Sequence, residues 1–209
     1  MIDPHPLLAV WRDAAEGRFP PADGGVTFVP PFAEGLEAVL SFTGHAFLAT
    51  ALPPAAFAGR PLDGLGAALD PSVLLILAGS DGEVGVVDAT LVARGRGGGD
   101  LRPRPDLADH PRVEHARAIR ADVRVFGDDR GLVTLGRGHA GRIEMSVETF
   151  DGERSGQGRE LIVEALRLAP EGEPVFAAVS PGHARSLRAF LAVGFVPLGS
   201  EVWIRPAAR

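Results

Sequence analysis

Four residue types are absent from this 209-residue sequence: cysteine, lysine, tyrosine and asparagine. Without cysteine the chain has no disulfide, no thiolate nucleophile and no thiolate metal ligand. Without lysine it cannot form a Schiff base with a substrate, and without tyrosine no phenol is available as a general acid. All 21 basic residues are therefore arginines. This usage, together with abundant alanine, glycine and proline, is typical of a GC-rich bacterial genome.

Long apolar runs and an excess of positive charge are missing as well. The longest apolar run, 73–78, is far shorter than the roughly 20 residues that cross a bilayer. The opening Met-Ile-Asp-Pro-His-Pro lacks the basic and apolar regions of a secretory signal, so we expect a cytoplasmic protein. A net charge of −6 argues against a nucleic-acid partner. The histidines other than His183 lack metal-ligand spacing, so we expect no metal. The short apolar runs likewise lead us to expect no membrane partner.

The residues that are present suit an ordinary globular α/β protein, with 45% hydrophobic and 23% charged residues. A chain of this length suits one large or two small domains. Its first part predicts strands at 25–29, 45–52 and 83–93, and helices at 34–42 and 70–78. The second helix has a clear start, because Asp70 is a favourable N-cap and Pro71 suits the first helical position. The apolar run inside it also suits a strand.

A stretch rich in glycine, proline and arginine, about 94–109, predicts a loop or linker. Its four arginines are either solvated linker charges, which we favour, or a phosphate-facing patch. From 111 the pattern predicts the order α-β-β-β-α-β-α-β. The fold class is therefore α/β (α+β), with a mixed, mostly antiparallel central sheet flanked by helices. An antiparallel meander comes first and a βαβ crossover follows.

Gly136, Gly138 and Gly141 spell the G-x-G-x-x-G fingerprint of dinucleotide-binding proteins. The mechanism of that fingerprint needs a helix directly afterwards, whose N-terminus receives the pyrophosphate. The residues that follow, 142–148, instead alternate between apolar and polar, which is typical of a strand. We therefore interpret the glycines as a hairpin loop and reject a dinucleotide site.

A second glycine motif, in the stretch Glu153–Leu168, does open a helix with a broad apolar face. A helix N-terminus carries unpaired N–H groups and a partial positive charge, so it favours an anion. Glycine at 156 and 158 removes the Cβ atoms that would keep a diphosphate away from those groups. A tight strand-to-helix connection without a ligand explains the stretch about equally well when it is taken alone.

The next helix carries a second motif, Gly182-His-Ala-Arg-Ser-Leu-Arg-Ala-Phe-Leu-Ala-Val-Gly-Phe195. Together, the two motifs resemble the acyl-CoA-binding half of the GNAT superfamily of N-acetyltransferases. Gly156 and Gly158 match the first family motif, while Ser186 and Gly194-Phe195 match the second. The resemblance covers roughly residues 111–205. It implies a GNAT-like acyl-CoA N-acyltransferase fold with an N-terminal α/β extension. It also implies transfer of an acetyl group from acetyl-CoA to a primary amine by direct attack.

Three positions depart from the family pattern. Glu153 stands where glutamine or arginine is usual, although Arg154 is adjacent. His183 replaces an asparagine that commonly contacts the cofactor. Phe190 stands where a tyrosine often protonates the departing thiolate, so this chain would need water, Ser186 or His183 as the proton source.

The resemblance implies the residues of a site. Backbone N–H groups of 154–159 would hold the CoA diphosphate, and the edge of the strand at Met145 and Val147 would pair with pantetheine. The expected cofactor-binding residues are Met145, Val147, Arg154, Ser155, Gly156, Gln157, Gly158, Arg159, His183, Ser186 and Phe190. Expected catalytic residues are Glu144, Glu148, His183 and Ser186. We favour Glu144 as the base, because Glu148 lies nearer the phosphate loop; each is equally well a solvated strand carboxylate.

Two divisions of the chain fit the pattern. We adopt an accessory α/β region at 1–82 and an acyltransferase domain at 83–209; the alternative makes 25–93 a decayed second copy. The alternative function is a non-catalytic acyl-CoA sensor or interaction module. The acceptor is an unidentified small-molecule or protein amine, and a homodimer remains an open alternative.

Overall fold

The structure is a computed structural model that describes residues 5–150 and 156–207. These described residues form ten β-strands and five α-helices, so the mixed α/β class predicted from the sequence is confirmed. The chain divides into two compact units. The first contains the described residues up to Thr90 together with those from Leu198 onward. The second runs from Leu91 to Pro197.

The first unit is a sheet covered by short helices. Its elements are α1 (Leu7–Ala15), β1 (Val26–Val29), β2 (Glu37–Phe42), β3 (His45–Ala49), α2 (Pro71–Ala78), β4 (Glu83–Val84) and most of β10 (Val196–Arg205). The strand order is β1-β3-β2-β10, and β4 also pairs with β10. The β1–β3 pair is parallel and the others are antiparallel. As predicted, α2 begins after Asp70, whose side chain accepts the N–H of Ser72 at 2.8 Å.

Two predictions in this part of the chain were wrong. The residues 34–42 form a turn and the strand β2 instead of a helix. Residues 37–40 of this strand are buried on both faces, so its apolar residues are continuous and lack the period of a strand. The predicted strand 83–93 is broken at 85–87 into β4 and β5 (Asp88–Arg94).

The second unit, with β10 following it along the chain, confirms the predicted order from 111. After the end of β5 come α3 (Pro111–Ile119), β6 (Ala121–Asp128), β7 (Gly131–Arg137), β8 (Ile143–Thr149), α4 (Gln157–Leu168), β9 (Pro174–Val179) and α5 (Ala184–Val193). The strand order is β5-β9-β8-β7-β6. Strands β6, β7 and β8 form the antiparallel meander, and α4 makes the crossover to the parallel partner β9.

The two helices α3 and α4 cover opposite faces of β8. Neighbouring residues of a strand point to opposite faces of its sheet. Arginines of α3 and of the residue after it contact Glu144 and Glu148, which share one face. A Cβ atom placed on Gly158 of α4 would lie 3.8 Å from Thr149 Cγ2, on the other face. The predicted apolar stripe of α4 is buried there: Leu161, Ile162, Ala165 and Leu166.

Hydrogen bonds tie the loop at 94–109 to the ends of two helices. The N–H groups of Arg96 and Gly99 donate to carbonyl oxygens at the end of α4, those of Leu166 and Arg167, at 2.8 and 2.9 Å. The Arg96 side chain also donates to the carbonyl oxygen of Val193, the last residue of α5, at 3.2 Å. The stretch is a loop as predicted, but one that bonds to the last carbonyl groups of two helices.

The glycine at 138, within the motif at 136–141, has a structural explanation. The loop after β7 leads into the strand β8, as the rejection of a dinucleotide site requires. A Cβ atom at Gly138 would meet a carboxylate oxygen of Glu144 and lie 2.8 Å from its carboxyl carbon. Glycine is needed at 138 because this side chain occupies the space.

Candidate functional site

The strands β8 and β9 separate soon after they meet. Their parallel ladder consists of two residue pairs, Ile143 with Val175 and Glu144 with Phe176. Both strands continue beyond this point, to Thr149 and Val179. Among the described residues, β8 has no strand partner on that edge from Met145 onward. The result is a notch in the sheet beside the later part of β8, whose last residue, Thr149, lies near Gly158 of α4.

The backbone groups of Met145 and Val147 point into this notch. The hydrogen bonds Gly138 N–H to Arg142 O and Phe150 N–H to Arg130 O, at 2.9 and 3.1 Å, fix the phase of the β7–β8 ladder. In an antiparallel ladder, hydrogen-bonded pairs alternate with pairs whose backbone groups point away. The even-numbered residues of β8 therefore bond to β7, and the odd-numbered ones from Met145 onward present N–H and C=O groups to the open edge.

The helix α4 begins at a left-handed glycine. Gly156 has φ of 102°, a conformation that favours glycine, and its carbonyl oxygen accepts the N–H groups of Arg159 and Glu160 at 3.0 and 3.1 Å. The N–H groups of Gln157 and Gly158 precede these first intrahelical bonds. The exposed side chain of Arg159 belongs to the same turn. The predicted cofactor-binding residues Arg154 and Ser155, like Glu153, lie outside the described residues.

Gly158 has room for a side chain. A Cβ atom there would have Thr149 Cγ2 as its nearest neighbour among the atoms considered, at 3.8 Å, which is ordinary van der Waals contact. Its backbone is helical, so φ does not require glycine either. Neither packing nor conformation within the described chain explains a glycine in this first helical turn.

The helix α5, which packs beside α4, carries the other predicted cofactor contacts. His183 is exposed at the N-cap position, and its side chain makes no capping hydrogen bond. Ser186 is half-buried in the first turn. Phe190 is only 4% exposed, and its ring packs edge-on against Phe195 at 4.9 Å between centroids. As predicted, the helix closes at Gly194, in the left-handed conformation.

Glu144 is held between two arginines. Arg120 Nη2 lies 2.7 Å from its Oε1, and Arg142 Nη2 lies 3.0 Å from its Oε2. All three side chains are nearly inaccessible to solvent. Burial alone would raise the pKa of Glu144, but the charges of the two arginines outweigh it and lower the pKa to about 2. This carboxylate is ionised at neutral pH and is a weak proton acceptor.

Glu148, on the same face of β8, is in a more open setting. Its side chain is 38% exposed and accepts from Arg112 Nε at 2.9 Å. The ring nitrogen Nε2 of His110 lies 3.9 Å from its other oxygen. Between the two glutamates, the Ser146 hydroxyl lies 2.6 Å from that of Thr134. The face thus carries a line of polar groups that ends at an accessible carboxylate.

Sequence reasoning found the two glutamates but missed their partners. Strand alternation put Glu144 and Glu148 on one face, whereas Arg112 and Arg120 come from α3 and its C-terminal end, 36 and 24 residues away along the chain. Only Arg142 carried a local signal, because residues two apart in a strand share a face.

Within 5–150 and 156–207, no group of three or more His, Asp or Glu side chains could hold a metal ion. None of the helices in these ranges is long and apolar enough to cross a membrane.

Comparison with known proteins finds no matching family model and no matching curated protein. A functionally unknown conserved protein from Staphylococcus epidermidis ATCC 12228 is 16% identical, with a TM-score of 0.42 over 65% of this chain and 66% of that chain. A candidate acetyltransferase from the GNAT family of Novosphingobium aromaticivorans DSM 12444 is 15% identical, with a TM-score of 0.35 over 63% and 70%. This chain spans just under two thirds of the first protein. Both TM-scores lie below 0.5, so neither likeness assigns an activity.

Proposed function

We propose that this protein is an acyl-CoA-dependent N-acetyltransferase that moves an acetyl group from acetyl-CoA to a primary amine. The observation that carries the proposal is the notch between β8 and β9. The β8 edge of this notch ends at Thr149, close to the first turn of α4, which begins after Gly156. An extended pantetheine arm would pair with the free backbone groups of Met145 and Val147, as an added strand does. One of those N–H groups would stabilise the thioester oxygen as negative charge develops on it.

The diphosphate would bind at the start of α4. Partial positive charge at a helix N-terminus favours an anion by about 0.3–1 kcal/mol when exposed. Gly158 supports this assignment, because glycine inside a helix costs roughly 0.5–1 kcal/mol relative to alanine. Neither packing nor φ requires it here. Close approach of a ligand to the backbone would account for it. Arg159, together with Arg154 and Ser155, would add donors to the phosphate oxygens.

For the base we now favour Glu148 over Glu144. An ammonium group must lose its proton before the amine attacks the thioester. Glu144 is buried and held by two arginines, which suits a structural role. Glu148 is accessible, and water beside it would complete a path for the proton. His183 is exposed at the N-cap of α5, and either it or Ser186 would supply a proton to the thiolate.

A second candidate function is a non-catalytic acyl-CoA-binding module. The lowered pKa of Glu144 and the absence of tyrosine from the chain favour it. Phe190, where the family often has its acid, is packed against Phe195. Such a module would bind CoA in the same notch without transferring the acetyl group.

Calorimetric titration with CoA tests the binding site. Gly158→Arg should abolish binding, because its side chain would fill the space in front of the helix N-terminus. Ala118→Arg, which adds the same side chain at an exposed position of α3, is the matched control and should bind like wild type. Undiminished binding by a cooperatively folded Gly158→Arg variant would contradict the site.

Thiol release separates the two functions. Acetyl-CoA is incubated with a panel of primary amines, and free CoA is measured with a thiol reagent. The chain has no cysteine to interfere with this readout. Amine-dependent release supports the transferase, whereas binding without release supports the module.

A further inference from the structure

In the first unit, His45 joins an acid to a hydroxyl. Its ring nitrogen Nδ1 lies 2.8 Å from Asp23 Oδ1, and Nε2 lies 2.9 Å from Thr27 Oγ1. A carboxylate only accepts hydrogen bonds, so in the neutral ring Nδ1 carries the proton and Nε2 accepts from the hydroxyl. This is the order of acid, imidazole and hydroxyl in which imidazole takes the proton of a nucleophile.

We propose that the Asp23–His45–Thr27 cluster is a nucleophilic site, at which Thr27 takes up an acyl group from an activated ester or thioester. The proposal is independent of the function proposed for the second unit, because all three residues belong to the first.

The exposure and hydrogen bonding of the three side chains support their roles. His45 is 8% exposed, and the ring of Phe47 lies 5.0 Å from it, so the base is covered by protein. Thr27, on β1, is exposed, so its hydroxyl is accessible to an acyl donor. Hydrogen bonds from His45 and from the Gly25 N–H lower the pKa of Asp23. Asp23 therefore stays ionised and holds the ring in the required tautomer.

The neighbouring loop limits the class of acyl donor that could react with Thr27. The N–H groups of Asp23, Gly24 and Gly25 already donate to Pro21 O, Gly44 O and Asp23 Oδ1, at 2.9, 2.9 and 2.7 Å. None of the three is therefore free to stabilise an oxyanion. The loss of one hydrogen bond to the oxyanion typically slows acyl transfer by about 10²–10³-fold. Acyl donors with good leaving groups therefore suit this cluster, whereas peptide bonds do not.

The step is a simple acyl transfer. Thr27 Oγ1 forms a bond to the acyl carbon while His45 Nε2 takes the hydroxyl proton. The bond from the acyl carbon to the leaving oxygen or sulfur breaks, and that atom departs with the electron pair. His45 then passes its proton to the leaving group or to water. Hydrolysis of the resulting ester would likewise lack oxyanion donors from this loop, so the acyl-threonine should persist.

Mass spectrometry after incubation with p-nitrophenyl acetate tests the proposal. Wild type should gain one acetyl group, assigned to Thr27 by tandem mass spectrometry, and release one equivalent of p-nitrophenolate in a burst. Labelling of Thr27 should be about 10²-fold faster than labelling of Thr43, an exposed threonine in the β2–β3 turn. Equal labelling of the two threonines would overturn the proposal.

Variants separate the chemistry from folding. Thr27→Val should abolish the burst and Thr43→Val should leave it unchanged. Asp23→Asn and His45→Gln should each slow it by at least tenfold. Thr27→Ser, which keeps the hydroxyl, should retain labelling at position 27. A normal burst in Thr27→Val, or a folded Thr27→Ser without label, would contradict the assignment.

Discussion

Arg120 holds Glu144 through two nitrogen atoms that contact one oxygen. Nε and Nη2 lie 2.8 and 2.7 Å from Oε1, in a region where both side chains are almost fully buried. The other oxygen, Oε2, accepts from Arg142 at 3.1 and 3.0 Å. A carboxylate with both oxygens occupied this way ties Arg120 and Arg142 to β8. Its first measurable consequences therefore concern stability.

Replacing Glu144 with glutamine should destabilise the protein strongly. Removing one partner of a buried ion pair leaves the other charge uncompensated and costs about 3–5 kcal/mol. Glu148→Gln is the matched control, because its pair with Arg112 is partly exposed and contributes about 1 kcal/mol or less. Urea unfolding measures both. Equal losses in the two variants would show that the Glu144 cluster is not buried as described.

The contribution of Glu144 should depend on pH in a defined direction. Its pKa falls from the ordinary 4.5 to about 2 on folding. A group with a lowered pKa stabilises the fold above its unfolded value and loses that contribution as the pH falls through the folded value. The stability difference between wild type and Glu144→Gln should therefore shrink as the pH is lowered from 4.5 to about 2. Urea midpoints across this range measure it, and a constant difference would contradict the lowered pKa.

Two glycine-to-alanine changes should have opposite effects. At Gly138 the new methyl group would meet the fixed carboxylate of Glu144, and such overpacking costs about 1–3 kcal/mol. At Gly158 the methyl group fits, and a helical alanine should stabilise by about 0.5–1 kcal/mol. Thermal and urea unfolding compare them. A destabilised Gly158→Ala would mean that the folded chain itself requires this glycine.

A tyrosine introduced at position 190 should not act as an acid. The ring of Phe190 packs against Phe195 and is 4% exposed, so Phe190→Tyr would bury a hydroxyl group. An unsatisfied buried hydroxyl costs about 1–3 kcal/mol. We expect lower stability and no faster thiol release. A several-fold gain in release would show instead that the para position of residue 190 faces the thioester.

Alanine at His183 should affect turnover more than binding. The side chain is exposed and does not cap α5, so His183→Ala should unfold like wild type. If the imidazole supplies a proton to the thiolate, thiol release should slow at least tenfold while CoA affinity changes little. Parallel measurements of release and calorimetric affinity decide this. Equal losses in both would reduce His183 to a binding contact.

The sequence by itself determined the elements whose pattern is local. The order from 111 onward, the buried stripe of α4 and the end of α5 at Gly194 followed from periodicity and capping. The rejection of a dinucleotide site at 136–141 was possible for the same reason, because the alternation of a strand is visible over seven residues.

Only the tertiary structure decided which residues meet. It made 37–42 a strand, since a strand buried on both faces has no period of its own. It brought Arg120 to Glu144 and His45 to Asp23 and Thr27, across 24, 22 and 18 residues. The notch between β8 and β9 likewise depends on where two strands separate. Contacts of this kind are set by packing between distant segments, and no local pattern in the sequence encodes them.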